Sequence, residues 1–530
     1  MAKQISYQSL TDIGLNGLNT QSNPASLDLS YLVKAENVVI RESGRIAFRK
    51  GLKQKVAPSG TSIASIHEHD DQGTNKIVVS YGTSIYVVDF TSPASAFPSS
   101  GADVKHTVSG SSGNWQFVNF NDRLHCFHAG IEPQRYDGSL SSGSRWTAHA
   151  TKPSTVSSNQ FKPTCGMGYY GRIWAGGVAE SPDVVYYSNL LDGDDWTGGD
   201  AGLIDLSKVW GIDYVIAIAP FYGKLVIFGK NNIVIYDRPE TVGSLALNEV
   251  IRGVGLVSRD TVQAIGDDLV FLSNTGLRSL GRTTEKDKLP LTDLSVNIKD
   301  TLIRNIGQSS NVKSVYVENE GIYIMSFVDK NITYVFDFKH FTPNNAPRIT
   351  TWTFDNNREP TSLSYTETYG LLVGQKDGGL AGYEGYYDTD LAGASTYSYS
   401  SYTSSIATTW INLGESIAAS FLKRLFLVLE GGSGATLGLK WYKDYSPSPS
   451  ETTSITLNPT TTGSTALWGA STSLYGKSGV TYKPIYGLHE YKTPLTGSAK
   501  NLKLEIDIES NGFDASLQDL TLLHKQGKIR

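Results

Sequence analysis

One arrangement recurs along this chain and limits what it can fold into. The stretch YGKLVIFGKNNIVIYDR, Tyr222 to Arg238, holds two short β-branched and aromatic runs, Leu225 to Phe228 and Ile233 to Tyr236, joined by a Gly-Lys-Asn-Asn corner. Corner residues of that kind tolerate positive φ, so the stretch reads as a β-hairpin. Neither run alternates between apolar and polar, which predicts strands covered on both faces. The same strand, corner, strand order appears in KIVVSYGTSIYVVDF, DRLHCFHAGIEPQRYDG, GRIWAGGVAESPDVVYYS, DLVFLSNTGLRSLGR, GIYIMSFVDKNITYVFDF and GLLVGQKDGGLAGYE. The first apolar residues of the seven first strands are Ile77, Leu124, Ile173, Leu225, Leu269, Ile322 and Leu371, separated by 47, 49, 52, 44, 53 and 49 residues. A unit of about 49 residues holds about four strands, one propeller blade, and propellers close with about four to eight blades. The expected fold is all-β, a β-propeller of about seven blades. A β-sandwich array or a long meander also repeats hairpins, but stacked blades explain why both strands of each hairpin are apolar on both faces. No WD dipeptide or double-glycine kelch pattern accompanies the repeat. Asp89, Asp137, Asp237 and Asp337 end second strands, where a carboxylate accepts from turn amides.

Composition points the same way, with 53 Gly and 29 Tyr against 3 Met. Two cysteines, Cys126 and Cys165, are too few for a disulfide framework, and the opening MAKQISYQSL lacks the basic start and apolar core of a signal peptide. Synthesis in a reducing cytoplasm is expected. No run approaches the roughly 20 apolar residues that span a bilayer. A net charge of −5 argues against tight whole-surface binding to nucleic acid, whose affinity comes from basic groups replacing counterions.

Two flanks lie outside the repeat, giving segments 1–60, 61–390 and 391–530. After residue 385 the composition shifts to Ser, Thr and Tyr in YYDTDLAGASTYSYSSYTSS, a linker or an exposed edge. Beyond it KRLFLVLEGG, ATLGLKWYKD, TSITLNP, KNLKLEIDIES and LQDLTLLHKQGK read as strands of a small β-sandwich, with alternation clear at Leu502, Leu504, Ile506 and Ile508. The N-terminal flank is expected to open with a helical turn capped by Asn23 or Ser26 that continues through Tyr31, Leu32 and Ala35. A hairpin follows, ENVVI and RIAFR joined across RESG.

The N-terminal flank also carries a resemblance. Asn23, Pro24, Ala35, Asn37, Gly44, Arg45, Arg49 and Gly51, with Lys50 between the last two, resemble the N-terminal pattern of tail nozzle proteins of short-tailed bacteriophages, also called tail tubular protein B, and of related packaged-DNA stabilisation proteins. DDLVFLSNTGLRSL and TTWINLGESIAASFLKRLFLVLEGG are similar to phrases in the middle and at the C-terminal entry of those proteins. The resemblance implies a virion protein, usually six copies in a ring below the portal and adaptor rings. Its propellers would surround a channel for the genome, with tail fibre or needle proteins as further partners.

Candidate sites are few. His67 and His69 in IHEHDD share a face if the segment is a strand, with Asp70 and Asp71 following, but no third metal ligand is assignable. His125, Cys126 and His128 in LHCFHAG read as one buried cysteine and two partly exposed histidines. YSNLLDGDDW, Tyr187 to Trp196, resembles the aspartate and tryptophan turns of sialidase propellers, yet it occurs once and lacks the order of a calcium loop. Asp192 and Asp194 are therefore read as turn residues. No phosphate-binding glycine loop is present. Lys34, Arg41, Arg45, Arg49, Lys50, Lys53 and Lys55, broken by Glu36 and Glu42, crowd the N-terminal flank. Such a cluster meets DNA phosphates or an acidic neighbouring ring, or else forms a solvated face. The resemblance favours docking, with Arg41, Arg45, Arg49, Lys50 and Lys53 as the candidate interface.

The expectation is a structural virion protein of the tail, with no catalytic residue, cofactor or required metal. The alternative is a carbohydrate-active or receptor-binding propeller, which would need an acid-bearing, aromatic-lined cleft.

Overall fold

The computed structural model describes residues 5–41, 44–88, 97, 104–110, 112–157, 159–281, 293–309, 311–355, 357–392, 396–414, 419–431, 434–457, 488–510 and 512–527. Asp89 and Glu42 lie outside them. Strands Lys224–Gly229 and Asn232–Asp237 pair antiparallel, Leu225 opposite Tyr236 and Phe228 opposite Ile233. They are the middle of a four-stranded sheet that begins at Val215–Phe221 and ends at Ala246–Arg252. Side chains on the two faces of this sheet go to different cores. Leu225, Ile227, Val234 and Tyr236 pack with Trp174 and Val185, whereas Val226, Phe228, Ile233 and Ile235 pack with Leu269 and Phe271. A sheet sandwiched in this way loses the alternation of a half-exposed strand, because water touches neither face.

The chain is a β-propeller. Six blades are built from consecutive strands, starting at Ile63–Asp71, Gln116–Phe120, Cys165–Tyr169, Val215–Phe221, Gln263–Ile265 and Val312–Val317. They are called blades 1 to 6. A seventh set, Pro360–Thr366, Gly370–Gln375 and Leu380–Tyr383, takes its outer strand, Leu52–Val56, from the N-terminal flank. Ile77, Leu124, Ile173, Leu225, Leu269, Ile322 and Leu371 each fall in the second strand of a different one of these sheets, and all are buried. Val56 packs with Ile63, Ile77 and Leu372, so the first and last sheets meet on a shared core and the ring closes.

The C-terminal part forms two further sheets. In one, Ala515–Gln526 lies between Ser420–Gly431 and the N-terminal hairpin Val38–Ile40 and Ile46–Phe48, and Ile5–Leu10 also pairs with it. In the other, Asn501–Glu509 joins Thr403–Thr408 to Thr436–Lys443. Leu502, Leu504, Ile506 and Ile508 face the core, while Lys503, Glu505 and Asp507 face the other way. The sandwich is not a separate body. Leu32–Glu36 pairs antiparallel with Thr403–Thr408 and, at Glu36 and Thr351, parallel with Pro347–Trp352, the outer strand of blade 6. One hydrophobic core therefore runs from Leu272 and Phe327 in the propeller to Leu425 and Leu520 in the sandwich.

The helix expected to run through Tyr31, Leu32 and Ala35 is absent. Asn23 Oδ1 accepts from the Ala25 amide in a turn, and Leu32–Glu36 is a strand. Two strand edges compete for this backbone, and their ladder bonds outweigh a short helical pattern that only local propensity supports. The Ser, Thr and Tyr-rich segment forms a hairpin, Asp388–Ala392 with Thr396–Ser400, attached through Thr389 and Lys53 to the closing strand.

Replacing Phe228, which stands between blades 4 and 5 and meets Phe271 at 5.1 Å between ring centroids, removes a fully buried ring. Phe228→Ala is expected to destabilise the fold by about 3–5 kcal/mol, read from the midpoint and slope of urea unfolding; a loss below about 1 kcal/mol contradicts the packing between the blades.

Candidate functional site

The basic N-terminal residues are largely spent within the chain. Arg41 pairs with Asp514 and Arg45 with Glu430, joining the hairpin to the sandwich. Lys50 reaches Glu320 in blade 6 at 2.5 Å, Lys55 reaches Glu384 at 2.5 Å, and Lys34 reaches Glu505 at 3.3 Å. Lys53 sits in the closing strand, half-buried. Arg41, Arg45 and Lys50 keep more than 40% of their side chains exposed.

Arg49 differs from these three because it is wholly buried. Its Nε donates to Asn37 Oδ1 (3.0 Å), one Nη to the Lys50 carbonyl (2.8 Å) and the other to Asp388 (3.4 Å). The guanidinium lies 4.1 Å from the Tyr402 ring centroid and 5.2 Å from that of Phe354. Asn37 stands at φ 56°, a left-handed position that asparagine tolerates, and its amide donates to Thr353 Oγ1 and to the Thr403 carbonyl. Asp388 also accepts from the Leu52 amide. Gly51 is held to glycine by space, since a Cβ there would meet the Tyr387 carbonyl oxygen at 2.0 Å.

The histidines divide into two groups. His67 and His69 lie on one strand, Ile63–Asp71, and His69 Nδ1 meets Asn119 Oδ1 of blade 2 at 2.8 Å. Burial, together with the neighbouring His69, lowers the His67 pKa to about 4 against the opposing pull of Asn119. His125 and His128 are both buried beside Cys126, not partly exposed as the sequence suggested, because blade 2 is covered on both faces. His128 Nδ1 accepts from the Gly130 amide at 3.0 Å.

His125 Nδ1 lies 3.0 Å from His149 Nε2, and His149 Nδ1 accepts from the Trp196 indole N–H at 3.0 Å. Asp194, read from sequence as a turn residue, points inward to Arg135 and to both histidines, and its turn is instead capped by Asp192 and Asp195. Among the described residues, His125, His149 and Asp194 are the only group placed to hold a metal ion. Sequence spacing gave no signal for it, because one residue comes from within a strand, one from just past another strand of the same blade and one from a loop of the neighbouring blade.

The propeller axis carries a third polar group. Asp260 takes Arg259 Nε at 2.8 Å and Lys313 Nζ at 2.7 Å, and Arg259 also donates to the carbonyls of Thr164 and Trp115. Burial would raise the Asp260 pKa, but the two cations outweigh it and hold the carboxyl well below its ordinary range. The group borders a cavity of about 210 Å³ lined also by Ser65, Gln116 and Gln263. It ties inner strands across the ring.

On one side of blades 3 and 4, Tyr170, Leu190, Leu191 and Tyr222 are exposed. A Cβ at Gly171 would meet Leu190 and Leu191 at 3.2 and 3.3 Å, and one at Gly223 would meet the Tyr170 hydroxyl at 3.6 Å, so the Tyr170-Gly171 and Tyr222-Gly223 corners stand side by side. Tyr170, Leu191 and Tyr222 all have positive φ, between 46° and 59°, which is uncommon for bulky side chains. The sequence reading missed this patch, although its tyrosine-glycine corners, Tyr170-Gly171 and Tyr222-Gly223, were visible.

Two measurements test these assignments. Arg49→Ala leaves Asp388 buried without its cation and is expected to cost about 3–5 kcal/mol in urea unfolding, against less than about 1 kcal/mol for Arg45→Ala at its exposed pair; equal effects contradict the buried role. His67 has a depressed folded pKa, so the unfolded chain binds more protons between its ordinary value near 6.5 and about 4. Its contribution is complete above that window and is lost as pH falls through it. His67→Gln is expected to flatten the fall of the urea midpoint between pH 7 and pH 5, and an unchanged slope contradicts the depressed His67 pKa.

No protein-family model and no curated protein matches the chain. Among solved structures it is similar to Raptor of Chaetomium thermophilum, with a TM-score of 0.42 and 12% identity over 63% of this chain and 30% of that one. It is also similar to YCF48 from Cyanidioschyzon merolae, with a TM-score of 0.37 and 10% identity over 63% and 98% of the two chains. The WD40 domain of Pan2 from Neurospora crassa gives a TM-score of 0.39 and 8% identity over 64% and 96%.

Proposed function

We propose that the chain is a wall subunit of the tail nozzle of a short-tailed bacteriophage, assembled as a ring around the path of the double-stranded genome and docked to the adaptor ring. The observation that carries this reading is the position of the residues behind the resemblance. Asn37, Arg49 and Gly51 lie where propeller, closing strand and sandwich meet, and Gly44, at φ 80°, and Arg45 belong to the hairpin that joins the sandwich. That pattern welds a propeller to a platform, which is what a tube wall under load requires. A ring of such rigid units needs no moving part, and closed symmetry gives each copy two neighbour contacts. Arg41 and Arg45, paired with Asp514 and Glu430 but still more than 40% exposed, are assigned to the docking side, and the apolar patch of Tyr170, Leu190, Leu191 and Tyr222 is suited to a neighbouring copy. The role needs no catalytic group.

Gold-conjugated antibody against the chain, applied to particles of the source phage and imaged by electron microscopy, is expected to label the tail tip. Leu191→Glu with Tyr222→Glu is expected to cut incorporation into particles at least ten-fold while the purified subunit keeps its unfolding midpoint. Particles with accessible but unlabelled tails, and the chain free in the lysate, overturn the assignment and turn attention to glycan binding and turnover.

A further inference from the structure

Independently of the nozzle reading, the cluster between blades 2 and 3 has the dimensions of a coordination site. His125 comes from the second strand of blade 2, Arg123–His128, and His149 follows its fourth strand, Trp146–Ala148. Asp194 comes from the loop of blade 3 between Val184–Tyr187 and Gly202–Asp205. His125 Nδ1 and His149 Nε2 are 3.0 Å apart, and Asp194 Oδ1 is 3.7 Å from the first and 3.8 Å from the second. A point in the plane of these three atoms is equidistant from all of them at about 2.1 Å, the length of a bond from zinc to imidazole nitrogen or carboxylate oxygen.

The surroundings favour an occupant. All three residues are at least 95% buried. Asp194 Oδ1 is enclosed and receives no hydrogen bond, although its other oxygen holds Arg135. A buried carboxylate oxygen aimed at two imidazole nitrogens without a donor is costly unless a cation satisfies it. Residue 193 must be glycine, since a Cβ there would meet His125 Cε1 at 2.8 Å and push the ring out of place.

The geometry points to a divalent metal site of the zinc class, with His125 Nδ1, His149 Nε2 and Asp194 Oδ1 as ligands, clamping blade 2 to blade 3. Two imidazole nitrogens and one carboxylate oxygen suit a borderline ion more than calcium or magnesium, which prefer oxygen. The proton balance is defined by Trp196. Its indole N–H donates to His149 Nδ1, so the neutral ring carries its proton on Nε2 and shares it with His125 Nδ1. The ion replaces that proton, which leaves to solvent, and His149 binds as an imidazolate whose Nδ1 the Trp196 N–H continues to stabilise. Imidazolate and carboxylate then oppose the two charges of the ion. Trp196 lies nearly parallel to His149, 15° between planes and 6.1 Å between centroids, and its fluorescence reports the exchange.

The test uses the purified full-length chain, stripped with chelator and dialysed against micromolar zinc or cobalt. About one zinc per chain by elemental analysis is expected, with roughly one proton released to a weak buffer, a change in tryptophan fluorescence, and visible d–d bands from the cobalt form. His149→Gln and Asp194→Asn are each expected to weaken binding by at least ten-fold, while His67→Gln leaves it unchanged. A wild-type chain that binds under about 0.1 ion at micromolar zinc, or variants that retain full stoichiometry and affinity, overturn the site. Should both variants fail to fold, the cobalt spectrum of the wild type decides, its presence supporting the site and its absence overturning it.

Discussion

The architecture rests on a buried cation. Arg49 has no contact with water, and its charge is held by Asp388, by the Asn37 and Lys50 oxygens, and by the ring faces of Tyr402 and Phe354. These partners belong to different parts of the molecule. Asn37 leads into the sandwich hairpin, Asp388 anchors the closing strand through Leu52, Phe354 follows blade 6, and Tyr402 precedes the sandwich sheet. A buried ion pair is weak evidence for net stability, but removing one partner leaves an uncompensated charge. The arrangement therefore acts as a register device, since any slip of the N-terminal segment would strand the guanidinium.

That device answers two geometric problems. A propeller must close its ring, and here the last sheet borrows Leu52–Val56 from the start of the chain. The sandwich must also stay fixed relative to the propeller, which Leu32–Glu36 accomplishes by pairing with both. Along the axis, Asp260 with Arg259 and Lys313 ties inner strands together. The N-terminal segment and the shared core therefore join the propeller to the sandwich, while the axial ion group acts within the propeller alone.

How much was legible in the sequence follows from the range of each signal. Leu225 and Val226 are neighbours in sequence, and both being apolar already implied cover on two sides; the two cores that receive them bear this out. Leu502 to Ile508 alternated and proved to be a one-sided strand. By contrast, Leu32 and Ala35 carried a local pattern compatible with a helical turn, and only the presence of Thr408 and Ile406 opposite them, with Thr351 beside Glu36, made a strand. Asp194 showed the same limit, because its turn-like neighbours masked a side chain that points away from the turn to Arg135.

The sequence by itself determined the repeating unit, its all-β character and the approximate number of blades, since periodicity and two-sided apolarity are properties of adjacent residues. Tertiary structure alone decided which strand closes the ring, which cations are consumed internally, and that His125, His149 and Asp194 share one interior point. The reason is physical: hairpins form from contacts a few residues apart, whereas those three outcomes depend on groups brought together across blades, whose meeting is set by the stacking of whole sheets and not by any local spacing.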